Sequence, residues 1–218
     1  MSFINSKFLS ELIGTSFLVM VVVGSGIMAS NLSNETSMIL LANTIATGAG
    51  LTALIWTFIK ISGAHFNPCV SLVMFLRKDI SLFELCNFIP AQLVGGFIGV
   101  MLANLMFDLD AFQLSQNSRS GINIFLSESI ATFGLLMIIL GTLRLNSDLV
   151  APSVGLYISA GYWFTSSTSF ANPAVTFARI FTDTFTGIFY LDAACFIFFQ
   201  ILGAIFAFKV FKLSLIHI

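Results

Sequence analysis

Charge is what this chain lacks most. Only 9% of its 218 residues are Asp, Glu, Lys or Arg, against about a quarter in an ordinary soluble domain. The formal net charge of −1 leaves no basic footprint for nucleic acid. Cysteine is scarce as well. Cys69, Cys86 and Cys195 stand far apart, with no metal-ligand spacing and no even-numbered disulfide framework. No nucleophile, metal cluster or nucleotide loop is legible. The chain therefore reads as a protein that is not an enzyme, takes no cofactor and holds no metal.

What is present is apolar. Hydrophobic residues make up 57% of the chain and the mean hydropathy is +1.00, so a lipid bilayer is the expected solvent. Six long apolar segments cover residues 8–29, 38–59, 83–107, 124–143, 149–167 and 188–211, each near the length of about 20 residues that a membrane helix needs. The first contains Glu11 and runs to Met28 without a small-residue cleavage site, so it is expected to be a retained span rather than a signal peptide. Two shorter segments, 67–76 and 172–181, reach only about half a membrane.

The basic residues are unevenly placed. With six spans, Lys7, Lys60, Arg77, Lys78, Arg144, Lys209 and Lys212 fall on one side, and Arg119 and Arg179 on the other. That bias predicts a multi-pass protein of the cell inner (plasma) membrane with both termini in the cytoplasm.

The chain also repeats itself. "SELIGTSFLVMVVVG" from Ser10 matches "SESIATFGLLMIILG" from Ser127, pairing Glu11 with Glu128. "NPCVSL" from Asn67 matches "NPAVTF" from Asn172, and "QLVGG" from Gln92 matches "QILGA" from Gln200. Repeat 1 covers about residues 1–107 and repeat 2 about 122–218, within one channel domain spanning 1–218. Three spans per repeat is an odd number, so the second copy is inverted in the membrane. Interrupted short helices at matching places in inverted repeats point to a pathway at the midplane.

Asn-Pro is a helix start: asparagine caps, and proline suits the first turn. The two short helices are expected to enter from opposite faces and meet tip to tip, Asn67 against Asn172. Their positive dipole ends and side-chain amides would form a narrow polar spot that accepts neutral hydroxylated solutes and repels cations. The small residues of "QLVGG" and "QILGA" predict close helix packing.

"SGAHFNP" followed by "NPAV" resembles the aquaporin, or major intrinsic protein, superfamily. The resemblance implies an all-α membrane protein with six transmembrane helices and two re-entrant half-helices, a pore in each subunit and a homotetramer. It marks Asn67, Pro68, Cys69, Asn172, Pro173 and Ala174 as the pore motifs, with Cys69 where the family usually has alanine. Glu11 and Glu128 match glutamates that support the re-entrant loops. His65 matches an inner-vestibule histidine, which either gates with pH or makes a structural hydrogen bond. Cys69 is either a reactive thiol or a small buried replacement for alanine.

Four filter positions follow from spacing to the motifs: Thr47, Ala160 (Gly161 if the register slips by one), Ser169 and Val175. Val175 stands where the family typically has arginine. Every change is toward small or neutral, so the expected filter is wide and passes larger neutral solutes. In these positions the chain resembles the bacterial aquaporin-like channels of arsenic-resistance operons, which implies arsenite as As(OH)3, small polyols and some water as solutes. Arg179 is expected one helical turn beyond Val175 at the outer mouth, or else in an ion pair such as one with Asp183. The alternatives are an ion-coupled or ion-conducting transporter, a water-selective aquaporin, and a membrane protein whose pore has closed. The expected partners are the bilayer, three further copies of the chain, small neutral solutes and water.

Overall fold

The computed structural model describes residues 3–214 and is all-helical over them. In chain order the helices are α1 (Phe3–Leu32), α2 (Thr36–Ser62), α3 (Pro68–Leu76), α4 (Leu82–Met106), α5 (Ile122–Leu145), α6 (Val150–Phe164), α7 (Pro173–Ala178) and α8 (Tyr190–Ser214). Single 3₁₀ turns precede α6 and follow α7, at Ser147–Leu149 and Arg179–Phe181. Among the described residues, five helices are long and apolar enough to cross a membrane: α1, α2, α4, α5 and α8. α6 has 15 residues, about 22 Å of helix, and is shorter than the expected segment because the chain turns out of it at Thr165. The extreme ends, expected in the cytoplasm, lie outside the described residues.

The two halves pack alike. α1 lies against α2 and α4, and α5 against α6 and α8. α2 meets α6 across the halves, α3 rests on α4 and α8, and α7 on α8 and α4. Glycine allows the tight crossings. A Cβ on Gly95 of α4 would run into the carbonyl of Leu12 on α1, and one on Gly203 of α8 into the carbonyl of Ser129 on α5. These are matched residues of the two repeats, and the small positions expected to permit close packing are the ones that do so.

Phenylalanine serves both surfaces of this bundle. Phe66, Phe88 and Phe196 are buried, whereas Phe17, Phe198 and Phe206 face outward with Ile45, Trp56, Leu156 and Trp163. An outer shell this apolar suits hydrocarbon rather than water.

The breaks at Asn67 and Asn172 form as caps. Asn67 Oδ1 accepts from Cys69 N at 2.9 Å, and Asn172 Oδ1 from Ala174 N at 2.9 Å and Val175 N at 3.3 Å. Pro68 and Pro173 open the helices that follow. Both helices are short: α3 has nine residues and α7 six before its 3₁₀ turn.

Candidate functional site

The loops ahead of α3 and α7 share one unusual backbone. Positive φ occurs at Gly63 (91°), Ala64 (51°) and Phe66 (48°), and at the matching Thr168 (64°), Ser169 (51°) and Ala171 (47°). Each non-glycine residue held there costs about 1–3 kcal/mol and needs surroundings that fix it. A buried carboxylate does so in each half. Glu11 accepts from His65 N at 2.9 Å, Phe66 N at 2.7 Å, Ser62 Oγ at 2.6 Å and Gln92 Nε2 at 2.8 Å. Glu128 accepts from Phe170 N and Ala171 N, both at 2.9 Å, and from Gln200 Nε2 at 2.6 Å. Hydrogen bonds to a charged group are worth about 1.5–3 kcal/mol each, enough to offset the strain. The glutamine then reaches the half-helix itself: Gln92 Nε2 donates to Ser71 Oγ and Gln200 Nε2 to Thr176 Oγ1, each at 2.9 Å. The sequence pairs these glutamines without showing a role for them; their link from glutamate to half-helix is a further part of the loop support.

The two tips touch. Asn67 Nδ2 donates to the carbonyl of Ala171, and Asn172 Nδ2 to the carbonyl of Phe66, both at 2.8 Å. Each amide therefore caps its own helix with its oxygen and clamps the opposite loop with its nitrogen. An amide nitrogen carries two hydrogens, so one N–H of each asparagine remains for a solute.

A cavity of about 630 Å³ runs past these tips, with Asn67 and Asn172 both in its wall. Residues four apart on facing helices line it: Thr47, Leu51, Ile55 and Ile59 on α2, and Val150, Val154, Ile158 and Tyr162 on α6. Residues four apart share a helix face, so each helix presents one stripe. The irregular loop residues 62–67 and 169–172 add a polar ribbon to this apolar wall. Lys7, Lys60, Arg77 and Asp79 line one end and Arg179 the other. Arg119 lies beside Arg179 across the Phe170 ring.

Thr47, Ser169 and Val175 all lie in the cavity wall, together with His65. Ala160 does not. It is exposed on α6, off the stripe that ends at Tyr162, and Gly161 packs against Ser169 instead. Spacing from the motifs does not fix the face of α6, and the helical period overrules it. Tyr162 supplies the α6 contact: its hydroxyl lies 3.1 Å from Thr47 Oγ1. The 150–154–158–162 spacing was the signal that would have found it. Cys69 is buried and outside the cavity lining, as expected of a replacement for alanine and not of an accessible thiol. His65 Nδ1 is 3.0 Å from Ser71 Oγ and its ring packs edge-on against Phe88.

Arg179 is one turn beyond Val175 and buried, at 4% exposure. Its Nε donates to the Thr186 carbonyl, and its guanidinium carbon lies 3.4 Å from the centroid of the Phe170 ring. It makes no ion pair with Asp183, which accepts from Gln116 N at 2.9 Å.

The description "Major intrinsic protein" fits residues 1–166 of the chain. The chain belongs to the major intrinsic protein family. The matched region stops short of the second Asn-Pro, so that half of the site rests on the repeat and on its geometry. Among relatives of this family, the chain is 46% identical over 202 residues to "Aquaglyceroporin AqpS" of Rhizobium meliloti (strain 1021), covering 93% of this chain and 87% of that one. It is 32% identical over 184 residues to "Aquaporin TIP1-2" of Musa acuminata, covering 78% and 72%. The fold matches the X-ray structure of the aquaglyceroporin from Plasmodium falciparum with a TM-score of 0.73 at 21% identity, over 95% of both chains.

Proposed function

We propose that this protein is a passive channel for small neutral solutes, built as six membrane spans and two re-entrant half-helices, α3 and α7, in an inverted repeat. The observation that carries the reading is the reciprocal asparagine clamp set in the wall of one long cavity. A solute passing it exchanges water for amide N–H donors, and no bond is made or broken.

In this reading Thr47, Tyr162, Ser169, Val175 and Arg179 form the selective end. Val175 leaves open the space that an arginine side chain would fill. Arg179 restores positive charge from one turn away, leaving the passage wide while opposing cations. Glycerol, urea, boric acid and arsenous acid are all uncharged near neutral pH and of matching size, and arsenite as As(OH)3 is included because the filter positions resemble those of the arsenic-resistance channels. The likeness to a protein named aquaglyceroporin supports solutes larger than water. The charge bias places the Lys60 end and both termini in the cytoplasm and the Arg179 end outside. The apolar outer surface is then divided between inner-membrane lipid and neighbouring copies in a homotetramer.

Stopped-flow light scattering on proteoliposomes tests this. Glycerol, urea and arsenous acid should each enter many times faster than in protein-free vesicles, with no ion gradient. Flux that needs a gradient would identify a transporter, and absence of flux a closed, structural protein.

A further inference from the structure

Arg179 and Arg119 stand on the same aromatic ring, with guanidinium carbons 3.4 and 5.2 Å from the centroid of Phe170. Three consecutive carbonyls hold the pair. Arg119 Nε and Nη2 donate to Gly187 and Phe185, at 2.9 and 3.0 Å, and Arg179 Nε donates to Thr186. The carboxylates nearby are committed elsewhere. Glu128, whose charge acts on both arginines, accepts from Phe170 N, Ala171 N and Gln200 Nε2. Asp192 accepts from Arg119 N at 2.8 Å and Ser118 Oγ at 3.2 Å, and Asp183 from Gln116 N. Among the described residues, the ion pairs are Lys7–Glu84 and Arg77–Asp79, and neither includes these arginines.

A guanidinium carries five N–H donors. Arg179 spends the one on Nε and lays a face on Phe170, and its Nη1 and Nη2 have no hydrogen-bond partner among the described residues. The side chain nonetheless lines the cavity while 96% removed from solvent. A buried cation with no carboxylate in direct contact is costly. The free edge is the two-pronged one that matches a carboxylate oxygen for oxygen.

We propose that this end of the cavity is a binding site for a small carboxylate monoanion, held bidentate by Nη1 and Nη2 of Arg179, which blocks the neutral solute while it is bound. The inference rests on the channel reading and adds an inhibitor class to it. The site is for binding and not for conduction. Away from Arg179 the wall turns to Leu18, Leu51, Val154 and Ile158, where an anion would lose its partner with nothing to replace it.

The test uses the full chain in proteoliposomes, with urea and glycerol flux read by stopped flow in sodium formate or in sodium chloride at equal osmolarity and pH 7. Formate should slow both fluxes saturably, by half at roughly millimolar to tens of millimolar, the range of a single charge-assisted fork. Chloride, which offers no second oxygen, should have far less effect, and neither salt should give an anion current. Arg179→Lys keeps the charge without the fork and should weaken the block about tenfold. Arg179→Gln should abolish it, each variant being compared with its own flux in chloride. Thermal unfolding of the wild-type protein in detergent supplies a second readout that needs no variant, with formate raising the midpoint and chloride not. Equal flux in the two salts, or a block that persists in Arg179→Gln, overturns the proposal while leaving the channel intact. Absence of flux in every salt overturns both.

Discussion

The two re-entrant loops are built to one plan and furnished differently. Gly63 and Thr168 occupy the same left-handed position, at φ 91° and 64°. Glycine adopts it freely, whereas a β-branched residue is strained there. At the next matched sites His65 pairs with Phe170 and Met74 with Arg179. One loop thus gives the cavity a histidine and a thioether, and the other an aromatic ring carrying a guanidinium. The glutamates, glutamines and asparagines that hold the loops are kept in both halves. Four of the six unpartnered buried polar atoms among the described residues also repeat, as Thr15 Oγ1 and Gln92 Oε1 in the first half and Thr132 Oγ1 and Gln200 Oε1 in the second, whereas Arg77 Nη1 and Ser169 Oγ have no match. The frame is thus symmetric and the lining is not, and selectivity belongs to the lining.

The largest effects should come from breaking the frame, equally in either half. Glu11→Ala and Glu128→Ala each strand buried backbone donors that cost about 1–3 kcal/mol apiece. Both should lower the thermal midpoint in detergent sharply and abolish solute flux. A large loss for one and a small loss for the other would refute the symmetric frame. Asn172→Ala should destabilise somewhat more than Asn67→Ala, since Asn172 caps two backbone amides and Asn67 one; a helix cap is worth about 1 kcal/mol. Paired unfolding curves would show the order.

Changing the lining should alter selectivity with little loss of stability. Val175→Arg fills the open space at the Arg179 end and should slow glycerol on the order of tenfold while slowing water much less, because pore width is what it removes. Arg179→Ala should raise sodium conductance relative to solute flux, read as bilayer current against vesicle swelling. The smallest effect is the most particular to the comparison. Thr168→Gly relieves the strain that Gly63 already avoids and should stabilise the protein by about 1 kcal/mol, whereas Gly63→Thr should destabilise it, because it adds the strain and crowds the His65 ring.

Most of the frame was legible in the sequence, because it lives in local chemistry. Asn-Pro starts helices, the paired glutamates need partners in an apolar chain, and glycines mark tight crossings. The cross-clamp between Asn67 and Ala171 could not be read, since it joins residues a hundred apart through backbone carbonyls. Ala160 was misplaced because spacing to a motif does not fix which face of α6 a residue occupies, and Ala160 is exposed, off the cavity stripe. The stripe through Ile158 and Tyr162 depends only on the helix period and would have given the correct face. The Arg179 environment was half legible. Its distance from Val175 follows from one helical turn, but its stacking on Phe170 and its hold on Thr186 are tertiary.

The central claim is that a single passage runs past both asparagine tips. Val70 and Val175 are matched residues that line the cavity on either side of them. In a background with Cys86 and Cys195 changed to serine, Val70→Cys and Val175→Cys should each react with a small uncharged thiol reagent, and each reaction should stop glycerol flux through the same vesicles. Labelling at either site that leaves flux unchanged would contradict the account.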